Sequence, residues 1–404
     1  TCEMNVVEPA RLFESMVVGR KFADVPYIAS RVCGICSASH VITDILAIER
    51  VFGVEVTDRT RALRELLAYG SYLQNHASHL FVFAAPDFLD MASVFPLAQA
   101  NPALFDSALG LKALGNQLCN LVGGRSIHPI TAVVGGFTHE PTRDEYLAMA
   151  DKLDAERDFA RQVVDLFRSF TVPAIATQGD MLAMVADGRY PVCDSRDARF
   201  LGAGVTFDAD EAAGAAGQIE EYEVSHSAAL FARCRQTATP YFTGALARIN
   251  ASWGALSQEA KVAAAKAGLR PPERNPYLNN VAQAVEVLDA LARCAALCRR
   301  LAEPDGEFVG SSQPVAFEVR AGKGTGFTEA PRGALFHELE LDEAGRVVHA
   351  TIMTPTAQNC ANLEADMRVL AEKLVADGAE KPEVQIEVEK LVRAYDPCFS
   401  CSVH

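Results

Sequence analysis

Two cysteine pairs of identical spacing stand near opposite ends of this chain: Cys33-Gly34-Ile35-Cys36 and Cys398-Phe399-Ser400-Cys401, with residues 37–397 between them. A fold that joins them must close almost the whole sequence into one body. The spacing points both sulfurs of a pair at one place, and a helix start or a metal there lowers thiol pKa values. From spacing alone, a structural zinc with four cysteine ligands ranks first and a redox-active disulfide motif second. Zinc ribbons, however, usually pair such units within about 20 residues. His404, three residues after Cys401, would also set an imidazole and a terminal carboxylate beside the thiolates.

The other seven cysteines, Cys2, Cys119, Cys193, Cys234, Cys294, Cys298 and Cys360, lie apart or in apolar company and read as buried free thiols. Eleven in 404 residues are too sparse for a disulfide scaffold, and the odd count leaves at least one unpaired. Length alone suggests two or three units at about 150 residues each. No linker marks a boundary, so residues 1–404 are expected to form a single domain. Lys plus Arg total 37 against 52 Asp plus Glu, a net charge of −15 that suits no nucleic-acid backbone. Hydrophobic residues make up 50% and charged residues 22%, as in compact globular chains. No apolar run approaches the roughly 20 residues of a membrane-spanning helix. Thr1 to Ala10 carries no secretory signal, and the missing initiator Met leads us to expect residues upstream.

Helical periodicity predicts a helix from the first cysteine pair to about residue 51, and a long one over 58–83 with Asp58 as N-cap and Pro86 as stop. Further periodic stretches run near 103–121, 142–169, 209–238, 257–267, 277–302 and 363–376. Short strands are expected at 172–176, 315–320, 335–341 and 346–352, the last two joined by a turn at Asp342-Glu343-Ala344-Gly345. The expected fold is mainly α with a small β component.

Arg31-Val32-Cys33-Gly34-Ile35-Cys36 followed by His40, together with Asp396-Pro397-Cys398 through Cys401 and His404, resembles the two signature motifs of the large subunit of nickel-iron hydrogenases. The likeness extends through Glu8-Pro9-Ala10-Arg11 to Glu14, Gly19-Arg20, Gly123 to Pro129, Ala330 to Leu335, and Pro355 to Asn359. The Glu-Pro-x-Arg lead-in and compact length look like the cytoplasmic, cofactor-coupled branch. The resemblance implies a long-helix bundle in which both cysteine pairs converge on one buried metal site, and reversible heterolytic cleavage of dihydrogen, with electrons leaving through an iron-sulfur small subunit and further diaphorase or other carrier subunits. Spare cysteines are too few for iron-sulfur clusters of its own, at about four thiolates each.

Carried over by motif position, Cys33 and Cys398 would be terminal nickel thiolates, and Cys36 and Cys401 would bridge to an iron bearing cyanide and carbon monoxide. Arg332 would stand over the metals, held by Asp87 and Asp396, with Cys398 or Arg332 receiving a proton. Pro331, Pro355 and Thr356 would enclose the iron's diatomic ligands, and His40 would hydrogen-bond a bridging sulfur. Glu14, His404 and the carbonyl of Cys360 would hold Mg2+ or Fe2+, and His128 would face the electron-transfer partner. His76 and His79, at i, i+3, are read as packing or hydrogen-bonded residues. Two features depart from the family: the usual Arg-x-Glu-Gly-like segment with its proton-passing glutamate would precede Thr1, and Gln358 replaces a familiar Trp. The ending at His404 looks like a mature C-terminus. Rival readings are a hydrogen-sensing regulatory complex, a non-catalytic assembly subunit with a four-cysteine zinc, and a quinone-binding relative, which typically lacks the four thiolates.

Overall fold

The structure, a computed structural model, describes residues 2–214, 216–304, 306–308 and 310–403. Helix α1 (Ser37–Phe52) starts directly after Cys36, which is its N-cap residue. Helix α2 (Asp58–Ser78) is capped one residue earlier than expected, because the Thr57 side chain accepts from Thr60 N. Pro86 does not stop this helix. The chain continues through a π-helical turn (His79–Ala84) into Ala85–Phe88, where Pro86 sits in a first turn that needs no N–H from it. Helix α3 (Pro102–Gly123) packs on α2, and the periodicity over 142–169 is divided at Glu156 into α4 (Arg143–Ala155) and α5 (Arg157–Ser169).

The middle of the chain holds more strand than the sequence suggested. Strands β1 (Asp180–Met184), β2 (Asp197–Phe200) and β3 (Val205–Asp208) form an antiparallel ladder. The stretch 209–238 is not a helix. After a 3-10 turn at Ala209–Glu211 it forms the hairpin of β4 (Ile219–Tyr222) and β5 (Phe231–Cys234). Its alanines suggested helix, but the cross-strand pairs Glu220 with Arg233 and Tyr222 with Phe231 favour a ladder. Strand β6 (Tyr241–Thr243) adds to β1 in parallel and leads into α6 (Ala245–Ser252). Helix α7 (Asn279–Ala302) then runs through the core against α2, α4 and α5.

Strands β7 (Gly322–Ala330), β8 (Gly333–Leu341) and β9 (Val347–Met353) make an antiparallel sheet, with the expected turn at Asp342–Gly345 closing β8 onto β9. Residues 172–176 and 315–320 pair in no ladder; Pro173 and Pro314 lie in or beside them and offer no N–H to one. Two long helices follow, α8 (Pro355–Ala376) and α9 (Lys381–Ala394), the latter outside the periodic stretches noted in the sequence, before a short helical turn at Phe399–Ser402 that carries Cys401. Sheet and helices meet at close quarters. A Cβ at Gly326 on β7 would overlap the Thr43 carbonyl of α1, so only glycine lets this strand lie against the helix that follows Cys36. Apolar side chains line the core faces of α2 and α7, where Leu63, Leu66, Leu67, Leu73, Val285, Leu288 and Leu291 are fully buried. No helix among the described residues is long and apolar enough to cross a membrane.

Candidate metal centre

The two cysteine pairs meet. Cys33 Sγ lies 3.9 Å from Cys398 Sγ, although the residues are 365 apart in sequence, and Cys398 Sγ lies 2.6 Å from Cys401 Sγ. The sulfurs of Cys33, Cys36 and Cys401 fall within 4.8 Å of one another, and all three residues are buried. Arg11 ties the loops together: Nη1 donates to Val32 O at 2.8 Å and to Ser400 O at 3.1 Å, and Nη2 to Arg31 O at 2.9 Å. Its backbone N–H donates to Val403 O. Each cysteine pair is therefore fixed through the carbonyl just before one of its sulfurs.

The electrostatics of four crowded sulfurs are uneven. Hydrogen bonds from Cys33 and Cys401 lower Cys36 to about 5, outweighing its burial. Cys398 is pushed up to about 11, first by its hydrogen bond with Cys33, and Cys401 is raised well above its ordinary value by Cys33, Cys36 and Cys398. The cluster thus welcomes one negative charge and resists the next. A bound cation removes that resistance, because metal binding keeps coordinating thiols deprotonated. Arg332 reaches the same region: its Nη1 is buried without a hydrogen-bond partner, and its charge favours the thiolate of Cys36. Four soft sulfurs beside an unanswered guanidinium N–H suit a nickel-iron group with its own acceptor atoms.

Arg332 is held from two directions. Its Nε donates to Asp396 O at 2.8 Å and Oδ1 at 3.1 Å. Asp396 Oδ2 accepts from Asn75 Nδ2 at 2.8 Å and Gln283 Nε2 at 3.0 Å. Burial would raise this carboxyl, but Arg332, His79 and the two amides hold it below its ordinary value. The backbone before Arg332 is clamped by Arg248, which donates to Ala330 O at 3.0 Å and Pro331 O at 2.9 Å. Arg248 is itself fully buried between Glu286 and Glu329. At Gly333, with φ near 133°, a Cβ would strike Thr243 Oγ1 at 2.5 Å, and that hydroxyl accepts from Ala334 N.

Asp87 requires a correction. Its carboxylate takes Arg393 Nη1 at 2.8 Å, not Arg332. Asp87 lies on the short helix past the π-helical turn, where α9 brings Arg393 within reach; Asn75 and Gln283 take up the holding of Asp396. Thr356 Oγ1 accepts from Cys398 N at 3.0 Å, and Pro355 opens α8 beside it. His128 is half-buried against the first motif, Nδ1 donating to Ser30 O and N to Ser37 Oγ, both at 2.9 Å. Glu14 Oε1 accepts from Ile352 N at 2.7 Å. Cys360 is buried, its thiol donating to Thr356 O; His404 lies outside the described residues. His76 bonds Glu286, and His79 bonds Gln283 and Arg393 O. A cleft of about 320 Å³, lined by Ile35, His79, Phe83, Arg332 and Arg393, opens on Cys398.

Asn75, Gln283, Arg248, Glu286 and Glu329 were not singled out in the sequence. One signal was present: Gln283 and Glu286 stand at i, i+3 in the otherwise apolar run of α7, and polar side chains on a core face need buried partners.

The pattern of the nickel-dependent hydrogenase family matches residues 11–105 and 280–404, and the chain belongs to that family. Over 404 aligned residues it is 30% identical to sulfhydrogenase 2 subunit alpha of Pyrococcus furiosus, covering 99% of this chain and 92% of that one. It is 28% identical to the NAD-reducing hydrogenase HoxS subunit beta of Cupriavidus necator, covering 100% of this chain and 88% of that one. Among solved structures, an NAD+-reducing [NiFe]-hydrogenase in the H2-reduced state superposes with a TM-score of 0.85 at 25% identity, covering 100% of this chain and 93% of that one. The chain is the large, catalytic subunit of a nickel-iron hydrogenase, an oxidoreductase acting on dihydrogen.

Proposed function

We propose that Cys33 and Cys398 are terminal nickel ligands, and that Cys36 and Cys401 are shared with an iron carrying cyanide and carbon monoxide. The observation that carries this reading is the convergence of four sulfurs from both ends of the chain beside Arg332. When bound, the metals supply the Lewis acidity and redox capacity for heterolytic cleavage of dihydrogen. The chain's own residues handle the proton. Burial would disfavour the charge on Arg332, yet Asp396 and the sulfurs hold it firmly cationic. It therefore orients and stabilises charge, and Cys398 Sγ, on the cleft, receives the proton.

His40, Pro331, Pro355 and Thr356 would surround the metals; Glu14, the Cys360 carbonyl and His404 would hold Mg2+ or Fe2+; His128 would face the partner. The relatives are named as subunits of larger enzymes, which supports an iron-sulfur small subunit as electron acceptor. The NAD-reducing relatives support a further carrier subunit. We place the chain in the cytoplasm, as its resemblance to the cofactor-coupled branch implies, and residues 1–404 in one domain. The test is metal analysis of the anaerobically purified complex, with infrared spectroscopy of the same sample. Nickel and iron with cyanide and carbon monoxide bands are expected. Zinc without those bands in fully assembled protein would overturn the ligand assignments.

A further inference from the structure

Behind the first cysteine pair lies a second set of buried polar groups. His337 Nδ1 is 2.7 Å from Asp44 Oδ1, and His337 Nε2 is 3.0 Å from His40 Nδ1. All three residues are at most 1% exposed. His40 and Asp44 are one turn apart on α1 and share a face, and Cys36 lies one turn before His40 on that face. His337 comes from β8, five residues after Arg332. The helix and sheet are pinned beside them by the 2.7 Å hydrogen bond between Thr43 and Thr328 and by the close approach at Gly326. The two rings and the carboxylate therefore sit on rigid elements.

We propose that Asp44 and His337 are positioning residues that fix the ring of His40 and the nitrogen on which it carries its proton. A carboxylate buried this deeply is best compensated by a hydrogen-bonded cation. His337 is the ion-pair partner the structure gives Asp44, whose Oδ2 has no hydrogen-bond partner. In this arrangement His337 carries both protons, donating Nδ1–H to Asp44 and Nε2–H to His40. His40 Nδ1 accepts, so the single proton of His40 sits on Nε2. The relay presents a fixed N–H donor one helical turn from Cys36, the kind of outer partner that orients a thiolate and tunes a metal. The tuning of the metals rests on the reading of Cys36 as a ligand; the proton arrangement does not.

The experiment uses the assembled enzyme with 15N-labelled histidine, the His40 and His337 signals being assigned with H40Q and H337Q. Wild type is expected to show two protonated nitrogens on His337 and a proton on Nε2 alone of His40. Asp44→Asn keeps an oxygen for His337 but removes the charge. It should leave His337 neutral, with its proton on Nδ1, and flip the proton of His40 from Nε2 to Nδ1. In the infrared spectrum, the iron's cyanide and carbon monoxide bands should shift in D44N and stay in place in H349Q, on the exposed edge of β9. A proton on Nδ1 of His40 in wild type, or nitrogen signals and bands unmoved by D44N, would overturn the proposal. If D44N does not fold, the wild-type nitrogen pattern decides alone. Absence of the bands in wild type would instead count against the metal assignment, since the nitrogen signals do not depend on it.

Discussion

Arg332 and Asp396 are joined twice through one nitrogen: Nε donates to both the carbonyl and the carboxylate of Asp396, leaving the outer face of the guanidinium toward the sulfurs. A lysine in its place keeps the charge but has neither the planar fork nor the lateral donor. Arg332→Lys should lower hydrogen uptake roughly 100-fold, the scale for losing one preorganised donor, while nickel and iron per chain stay at wild-type levels. Loss of metal together with activity would assign Arg332 to assembly of the site instead.

Arg11 bridges Val32 and Ser400, residues 21 and 389 positions away from it. Arg11→Ala removes the clasp without touching a sulfur. Nickel should then be lost to a chelator about 10-fold faster or more, as for other outer-shell supports, read as metal per chain by mass spectrometry over time. Unchanged retention would show that the loops are held elsewhere.

Arg248 lies between two carboxylates, and the consequences of removing it follow from burial. Arg248→Met leaves Glu286 and Glu329 without their cation and should destabilise the chain by about 3–5 kcal/mol. Adding Glu286→Gln and Glu329→Gln should restore most of that loss in thermal melts, because neutral amides do not need the charge. If the triple variant melts no higher than the single one, hydrogen bonds to Ala330 and Pro331 carry the stability.

Gly326→Ala puts a methyl group where the Thr43 carbonyl stands. Neither backbone can yield without moving the sheet, so a cost of about 2 kcal/mol or more is expected, seen as a lower melting temperature with reduced nickel content, since α1 also carries His40. Wild-type melting would mean that the strand and helix have room to part.

Glu65 provides the pH dependence. Burial, aided by Asp194, lifts its carboxyl to about 7 against the pull of Arg293, Arg300 and Arg189. In the unfolded chain it titrates near 4.3. Between those values the folded state holds more protons, so stability falls as pH rises from about 4.3 to 7 and then levels off. Glu65→Gln should flatten that portion of the melting-temperature profile and leave the variant the more stable form at pH 8. Parallel profiles for the two proteins would refute the assignment.

The resemblance led to Cys33, Cys36, Cys398, Cys401, Arg332 and Asp396 because their chemistry is written in short motifs with special residue types. The long helices were legible too, since α2 and α7 keep apolar residues at helical spacing over many turns. The hairpin of β4 and β5 was not: its alanine-rich lead-in suggested helix, and its strands are decided by pairing across a turn. Asp87 was misplaced for a related reason. Which arginine a carboxylate meets depends on where α9 docks, and no local pattern records that. His337 and Asp44 meet His40 only through the packing of β8 on α1.

The clasp between the chain's two ends also has a meaning in time. During synthesis Cys33 and Cys36 emerge first and remain an open, half-built pocket until Cys398 and Cys401 follow, 365 residues separating Cys33 from Cys398. Contacts so distant in sequence form late, after the helices and sheets between them have folded. The centre is therefore sealed only when the second cysteine pair arrives, and any ion that enters before then meets a vestibule with one wall missing.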